Sequence, residues 1–158
     1  MMAEIIKVTK EKYEELTSRL HYLETEARAE VAAAIKNAKE FGDISENAEY
    51  AAAKDTQVEI ETEILRLTET LNHIEVINED EIDTSIVSFG TKVKVLDKSN
   101  NEVIEYTILS TLEASSRENK ISDQSPIGKA LMGHKKGDVV FAKTPGGDVE
   151  IEILDITK

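Results

Sequence analysis

Two carboxylates three residues apart, Asp43 and Glu46, stand in the stretch Phe41-Gly42-Asp43-Ile44-Ser45-Glu46-Asn47-Ala48-Glu49-Tyr50. Carboxylates are hard oxygen donors suited to Mg²⁺, which prefers six oxygen ligands and keeps several waters. Two such groups on a turn do not make a tight site alone, but they complete a weak one whose other ligands come from elsewhere. A structural account also exists for the same residues. Gly42 suits a helix C-terminus with positive φ, Asp43 or Ser45 suits the N-cap of the next helix, and Asp43-x-x-Glu46 fits a capping box. Acids in a first helical turn are favoured by the macrodipole as well. Capping does not explain why an exposed turn also carries Asn47, Glu49 and Tyr50. No other constellation competes. There is no Cys, His21, His73 and His134 are isolated in the chain, and no strand, Gly-rich loop and long helix surround the glycines to form a phosphate cradle.

The residues on either side of this turn have a helical period. Before it, Tyr13, Leu16, Leu20, Leu23, Ala27, Val31, Ala34, Ala38 and Phe41 recur at spacings of three and four, a heptad seam with one stutter at Ala27–Val31. Thr9 is placed to cap this helix. After the turn, a second seam runs Ala53, Gln57, Ile60, Ile64, Leu67, Leu71 and Ile74. Neither segment contains Pro, and Gly occurs only at Gly42, between them. Two helices of about 30 residues joined so tightly fold back as an antiparallel hairpin about 45 Å long. Small residues toward the turn, Ala34, Ala38 and Ala53, make a slim tip.

Beyond Asn78 the period changes to two. Thr91–Leu96 shows it, Glu102–Leu109 is rich in β-formers, and Asp138–Ala142 and Val149–Leu154 read as two more strands, with turns at Ser99–Asn101 and Pro145–Gly147. Ser125-Pro126 reads as an N-cap followed by Pro at the first helical position, and Gly133 closes the short helix. The expected division is a hairpin over 1–78 with its tip at 42–50, a linker over 79–85, and a small antiparallel β domain with one short helix over 86–158.

Composition bounds the function. The 158 residues are 40% hydrophobic and 32% charged, as in a folded protein, with a net charge of −13 spread over both parts. Binding to phosphate backbones needs a cationic footprint, so a role on nucleic acid must pass through a partner. Aromatics are 4% and Trp is absent, which leaves little material for a base-stacking platform. The stretch Met1–Lys10 lacks a signal-peptide run, and no segment approaches the roughly 20 apolar residues of a membrane span. A cytoplasmic protein without membrane contact is expected.

Gly42-Asp-Ile-Ser-Glu-Asn-Ala-Glu-Tyr50 resembles the tip motif of the GreA/GreB transcript-cleavage factors. Ile121-Ser-Asp-Gln-Ser-Pro-Ile-Gly128 and Gly137-Asp-Val-Val140 with Thr144-Pro-Gly-Gly147 resemble the second domain of that family. The similarity runs through essentially the whole chain in the right order. It implies an α+β protein, a coiled-coil hairpin followed by an FKBP-like β domain. It implies a partner, bacterial RNA polymerase, whose secondary channel the hairpin enters to stimulate cleavage of the backtracked nascent RNA 3′ end. On that resemblance Asp43 and Glu46 match the two tip acids that help hold a Mg²⁺ shared with the polymerase active centre, with no cofactor tightly bound and no nuclease activity in the chain alone. Gly42, Asn47, Glu49 and Tyr50 match positions that shape the tip or touch polymerase and RNA. Ser125 and Pro126 match the loop that docks on the channel rim. Near the tip stand only Lys36, Lys39 and Lys54, mixed with Glu40, Glu49 and Asp55. This resembles GreA rather than the basic rod of GreB.

Three other readings follow from the same residues. A homologue of the same fold blocks the channel instead of assisting cleavage, but this chain keeps both tip acids. A prolyl isomerase needs an aromatic-lined pocket, and beyond Asn78 the aromatics are Phe89, Tyr106 and Phe141, with Phe141 expected in the core. A self-associating coiled coil needs a second apolar seam; none is visible, and a monomer is expected.

Overall fold

The computed structural model describes residues 5–42 and 47–158. The order is β1 (Ile6–Val8), α1 (Lys10–Tyr22), a π-helical turn (Leu23–Ala27), α2 (Arg28–Glu40), α3 (Ala48–Asn72), β2 (Ile74–Val76), β3 (Lys92–Asp97), β4 (Glu102–Leu109), β5 (Lys120–Ser122), α4 (Pro126–Leu131), β6 (Val139–Thr144) and β7 (Gly147–Thr157). The chain forms two compact units, residues 13–74 and residues 1–12 together with 75–158. The sequence expectation put residues 1–12 with the hairpin. Those of them that are described go instead with the C-terminal part, because β1 pairs with β2 and its Val8 is fully buried. Within the expected linker, Glu79–Glu81 form a single 3₁₀ turn capped by the Asn78 side chain.

In the hairpin unit the buried line is Leu23, Ala27, Val31 and Ala38 facing Ala53 and Ile64, with Leu20, Ile60 and Leu67 partly covered. The predicted seam therefore holds along most of its length, with three corrections. Tyr13, Ala34 and Phe41 are exposed, and half-buried Ile35 takes the place of Ala34. Ile74 leaves the helix for β2. The first helix is not one continuous α-helix, because the sequence stutter falls against a π turn in which Arg28 N–H reaches the Leu23 carbonyl. From Leu23 to Ile35 the apolar residues step by four three times, where three α turns take only about 10.8 residues. One wide turn absorbs the excess and keeps the line facing α3.

Two forked ion pairs link the helices near this turn. Arg28 Nε and Nη2 donate to the two carboxylate oxygens of Glu61 at 2.8 and 2.9 Å, and Arg19 does the same to Glu63 at 2.9 and 3.1 Å. These hydrogen bonds hold both Glu carboxyls below the ordinary carboxylate range. A carboxylate with a lowered folded-state pKa adds stability above its unfolded pKa, and that stability is lost as pH falls through the lowered value. The pairs are exposed, so the contribution is small and weakens with salt. Melting of Glu61→Gln/Glu63→Gln should accordingly fall less on acidification than melting of the wild type. Equal acid sensitivity would remove the ion pairs from the account.

The C-terminal unit is built on a five-stranded sheet of order β5-β4-β3-β7-β6. β3 pairs antiparallel with β4 from Lys92↔Thr107 to Asp97↔Glu102, and with β7 across a bulge between Lys94 and Val95. β6 and β7 close antiparallel at Thr144↔Gly147. The sheet is not wholly antiparallel as expected, since β5 runs parallel to β4. Val87, Val93, Val95, Ile108, Leu131, Val140, Ala142, Ile151, Ile153 and Ile156 form the core, with α4 supplying Leu131. Phe141 is a further correction: it alternates outward on β6 and is 64% exposed, while Val140 and Ala142 point inward.

The start of α1 is held by both a local and a distant residue. Thr9 Oγ1 accepts from Lys12 N–H at 3.2 Å, the N-cap predicted for it. Glu113, 104 residues away, accepts from Thr9 N–H at 3.0 Å and from its hydroxyl at 2.5 Å. A carboxylate is well placed there, beside the positive end of a helix.

Candidate functional site: the hairpin turn and the α4 loop

At the hairpin turn, α2 ends on Phe41, whose N–H donates to the Ala38 carbonyl at 3.2 Å, and the chain turns at Gly42 with φ +135°. Among the described residues, its chain neighbours aside, no atom lies within 4 Å of a Cβ placed there, so this glycine serves the backbone angle and not a close approach. The N-cap of α3 is Asn47, and not Asp43 or Ser45 as the capping account had it. Asn47 Oδ1 accepts from Tyr50 N–H at 3.1 Å, and Nδ2 donates to the Ala38 carbonyl at 2.5 Å. One amide thus joins the last turn of α2 to the first turn of α3, and the Ala38 carbonyl receives both Asn47 and Phe41. Asp43 and Glu46 lie outside the described residues, between the two fixed points Gly42 and Asn47.

Of the other expected tip residues, Tyr50 is half-buried and Glu49 is exposed. Gly42, Asn47, Glu49 and Tyr50 are therefore gathered at the turn. The sequence reading missed Phe41, which it placed in the seam. The signal that marks it as different is its position, last before Gly42, where the seam has no partner left to face.

Losing an N-cap costs about 1 kcal/mol, and Asn47→Ala loses the tie to Ala38 as well. A melting temperature below that of the wild type is expected, with Asn47→Asp recovering part of the loss because it restores only the cap acceptor. An unchanged melt for Asn47→Ala would show that the tie carries no load.

The second group lies in the C-terminal unit, at the start of α4. Ser125 Oγ donates to the Ser122 carbonyl at 2.6 Å and accepts from Gly128 N–H at 3.1 Å, and Pro126 occupies the first helical turn, as the sequence predicted. Gln124 N–H adds a bond to Ser122 Oγ at 2.9 Å, so the loop is tied to Ser122 from two residues, while the Gln124 and Pro126 side chains remain exposed. His134 is not isolated in space: its Nδ1 lies 3.2 Å from Asp138 Oδ2. The Asp138 carboxyl is held low, first by the Lys135 backbone N–H and then by His134. Among the described residues no group of three or more His, Cys, Asp or Glu is arranged to hold a metal ion. No helix of the described residues is long and apolar enough to cross a membrane.

Residues 6–76 match the family model described as the N-terminal part of transcription elongation factors, and residues 82–158 match that for the C-terminal part of GreA/GreB. The transcription elongation factor GreA of Thermoanaerobacter pseudethanolicus is 48% identical over 157 residues, covering 99% of this chain and 100% of the relative. The chain belongs to the GreA/GreB family of transcription elongation factors. GreA of Caldanaerobacter subterraneus subsp. tengcongensis is 45% identical with the same coverage. Among solved structures, GreA factor homolog 1 of Thermus thermophilus is 30% identical, covers 98% of this chain and 100% of its own, and superposes with a TM-score of 0.45. The two family models meet the chain on either side of residues 77–81, so both site groups fall inside family-matched sequence, the turn in the first and the α4 loop in the second.

Proposed function

We propose that the chain binds bacterial RNA polymerase in the cytoplasm as a monomer, docks through Ser125 and Pro126, and inserts the hairpin so that Asp43 and Glu46 stimulate cleavage of backtracked RNA near its 3′ end. The observation that carries this reading is the cap of α3. Asn47 performs the structural task that otherwise accounts for two acids at the turn, which leaves Asp43 and Glu46 for chemistry. Membership in the GreA/GreB family supports the partner.

The two carboxylates are oxygen donors of the kind Mg²⁺ takes, and they fit it as a fraction of a coordination shell. The other ligands belong to the polymerase and the RNA. When bound, such an ion supplies electrostatic stabilisation to an in-line displacement at phosphorus. The chain contributes position. The Asn47 tie and the Gly42 turn fix the two ends of the segment that carries the acids, and preorganised placement of this kind lowers the cost of assembling a reactive geometry. Because the acids only complete a site, the chain alone is not a nuclease. Without a basic rod it suits short backtracked RNA.

The test is cleavage of 3′ RNA in a defined backtracked complex, with and without the protein, alongside naked RNA. Faster cleavage only in the presence of polymerase is expected. Binding that slows cleavage or nucleotide addition would make the protein a channel blocker.

A further inference from the structure

We infer that Phe41 is a stacking contact for a nucleobase of the RNA held at the hairpin tip, an inference that rests on the tip acting on polymerase-held RNA. At 80% exposure, Phe41 is the most open large apolar side chain among the described residues. Burial of a Phe ring gains about 1.5–3 kcal/mol, so a ring left in water keeps that gain available to whatever covers it. It is also held still at its backbone. Phe41 N–H donates to the same Ala38 carbonyl that accepts Asn47 Nδ2, so the ring leaves the rod from a tied point, two positions before Asp43.

Charge selects the occupant. Near the turn in sequence, exposed Lys36, Lys39 and Lys54 are matched by exposed Glu40, Glu49 and Asp55, and the chain carries −13 overall. Phosphate is not attracted to such a surface. A nucleobase presents an uncharged π face, and stacking on an aromatic ring tolerates any base. A Phe has two side-chain torsions to fix, so little ordering is lost on contact. The ring therefore holds the base of a nucleotide next to the reacting phosphodiester, while the acids work on the backbone.

The experiment uses full-length protein and backtracked complexes assembled with either a normal or an abasic nucleotide at the RNA 3′ end. Wild type, Phe41→Leu and Phe41→Trp are compared for the cleavage rate at saturating factor and for the concentration giving half that rate. Phe41→Leu is expected to lower the saturated rate about tenfold on normal RNA, the scale of one lost base–aromatic contact. Half-saturation should stay unchanged, because docking lies elsewhere. Phe41→Trp should retain the rate, and on abasic RNA wild type and Phe41→Leu should coincide. Equal rates for wild type and Phe41→Leu on normal RNA would overturn the inference. So would an equal loss on abasic RNA, which would place the ring against polymerase. Absence of stimulation by wild type on any complex would instead remove the proposed function itself.

Discussion

Asp43→Asn/Glu46→Gln should abolish stimulated cleavage while leaving attachment to polymerase intact. The loss should reach at least about 100-fold, since even residues that only orient a metal ligand cost on the order of 10–100-fold when removed. Both substitutions keep size and hydrogen-bonding capacity and remove charge, so they act on ion binding more than on folding. The helix boundary supports that separation, because α3 takes its cap from Asn47 and the rod's ties run through Ala38, Tyr50 and the Arg–Glu pairs. The double variant should still compete with wild type for polymerase, and raising Mg²⁺ should restore part of the rate. A variant that cleaves like wild type would show that the acids are not ligands. A variant that no longer competes would show that they serve docking.

The second large effect is on stability, at Gly128. A Cβ there would stand 1.9 Å from the Ser122 carbonyl oxygen and 2.8 Å from Ser125 Oγ. Gly128 is not one of the positive-φ glycines, so the demand is for space alone. The nearest obstructing atom belongs to the backbone at the end of β5 and has no flexible end to swing aside, and the second, the N-cap hydroxyl of α4, is held by its two hydrogen bonds. Overpacking costs about 1–3 kcal/mol in ordinary cores and occasionally more. With backbone as the obstacle, Gly128→Ala should fall at or above the top of that range. Gly42→Ala meets no neighbouring atom among the described residues and pays for its backbone angle, φ +135°, about 1–3 kcal/mol. Amide exchange separates the two cases. Gly128→Ala should speed exchange in β3, β4 and β7 and leave α2 and α3 protected, whereas Gly42→Ala should not touch the sheet. Wild-type protection throughout the sheet in Gly128→Ala would refute the steric argument.

What could be seen in advance tracks the length over which a pattern repeats. The hairpin was legible because apolar residues recur for some seven turns, and β3, β4, β6 and β7 because each is a run of five or more residues rich in β-formers. β1, β2 and β5 are three residues each, too short for any period, and the parallel pairing of β5 depends on contacts far apart in sequence. Phe41 and Phe141 were misplaced for a shared reason: a pattern gives the phase of a side chain, but not whether anything lies opposite. The Ser125-Pro126 cap and the Gly42 turn were legible because they are local. The Asn47 tie was only half so, since its cap to Tyr50 is local and its bond to Ala38 crosses the turn. The Glu113 hold on Thr9 left no trace in the sequence.

That last contact has a consequence for how the protein is made. Thr9 leaves the ribosome before the hairpin, yet the carboxylate that grips it is made 104 residues later. At about 5–20 residues per second this is a delay of roughly 5–20 s, during which the hairpin is complete and its helices have had ample time to pair. The C-terminal unit, by contrast, must recruit a strand synthesised before the hairpin. The hairpin is in effect an insertion within another unit's chain, and a nascent protein passes through a stage in which the rod and the β1–β2 pair exist and Thr9 still waits for Glu113.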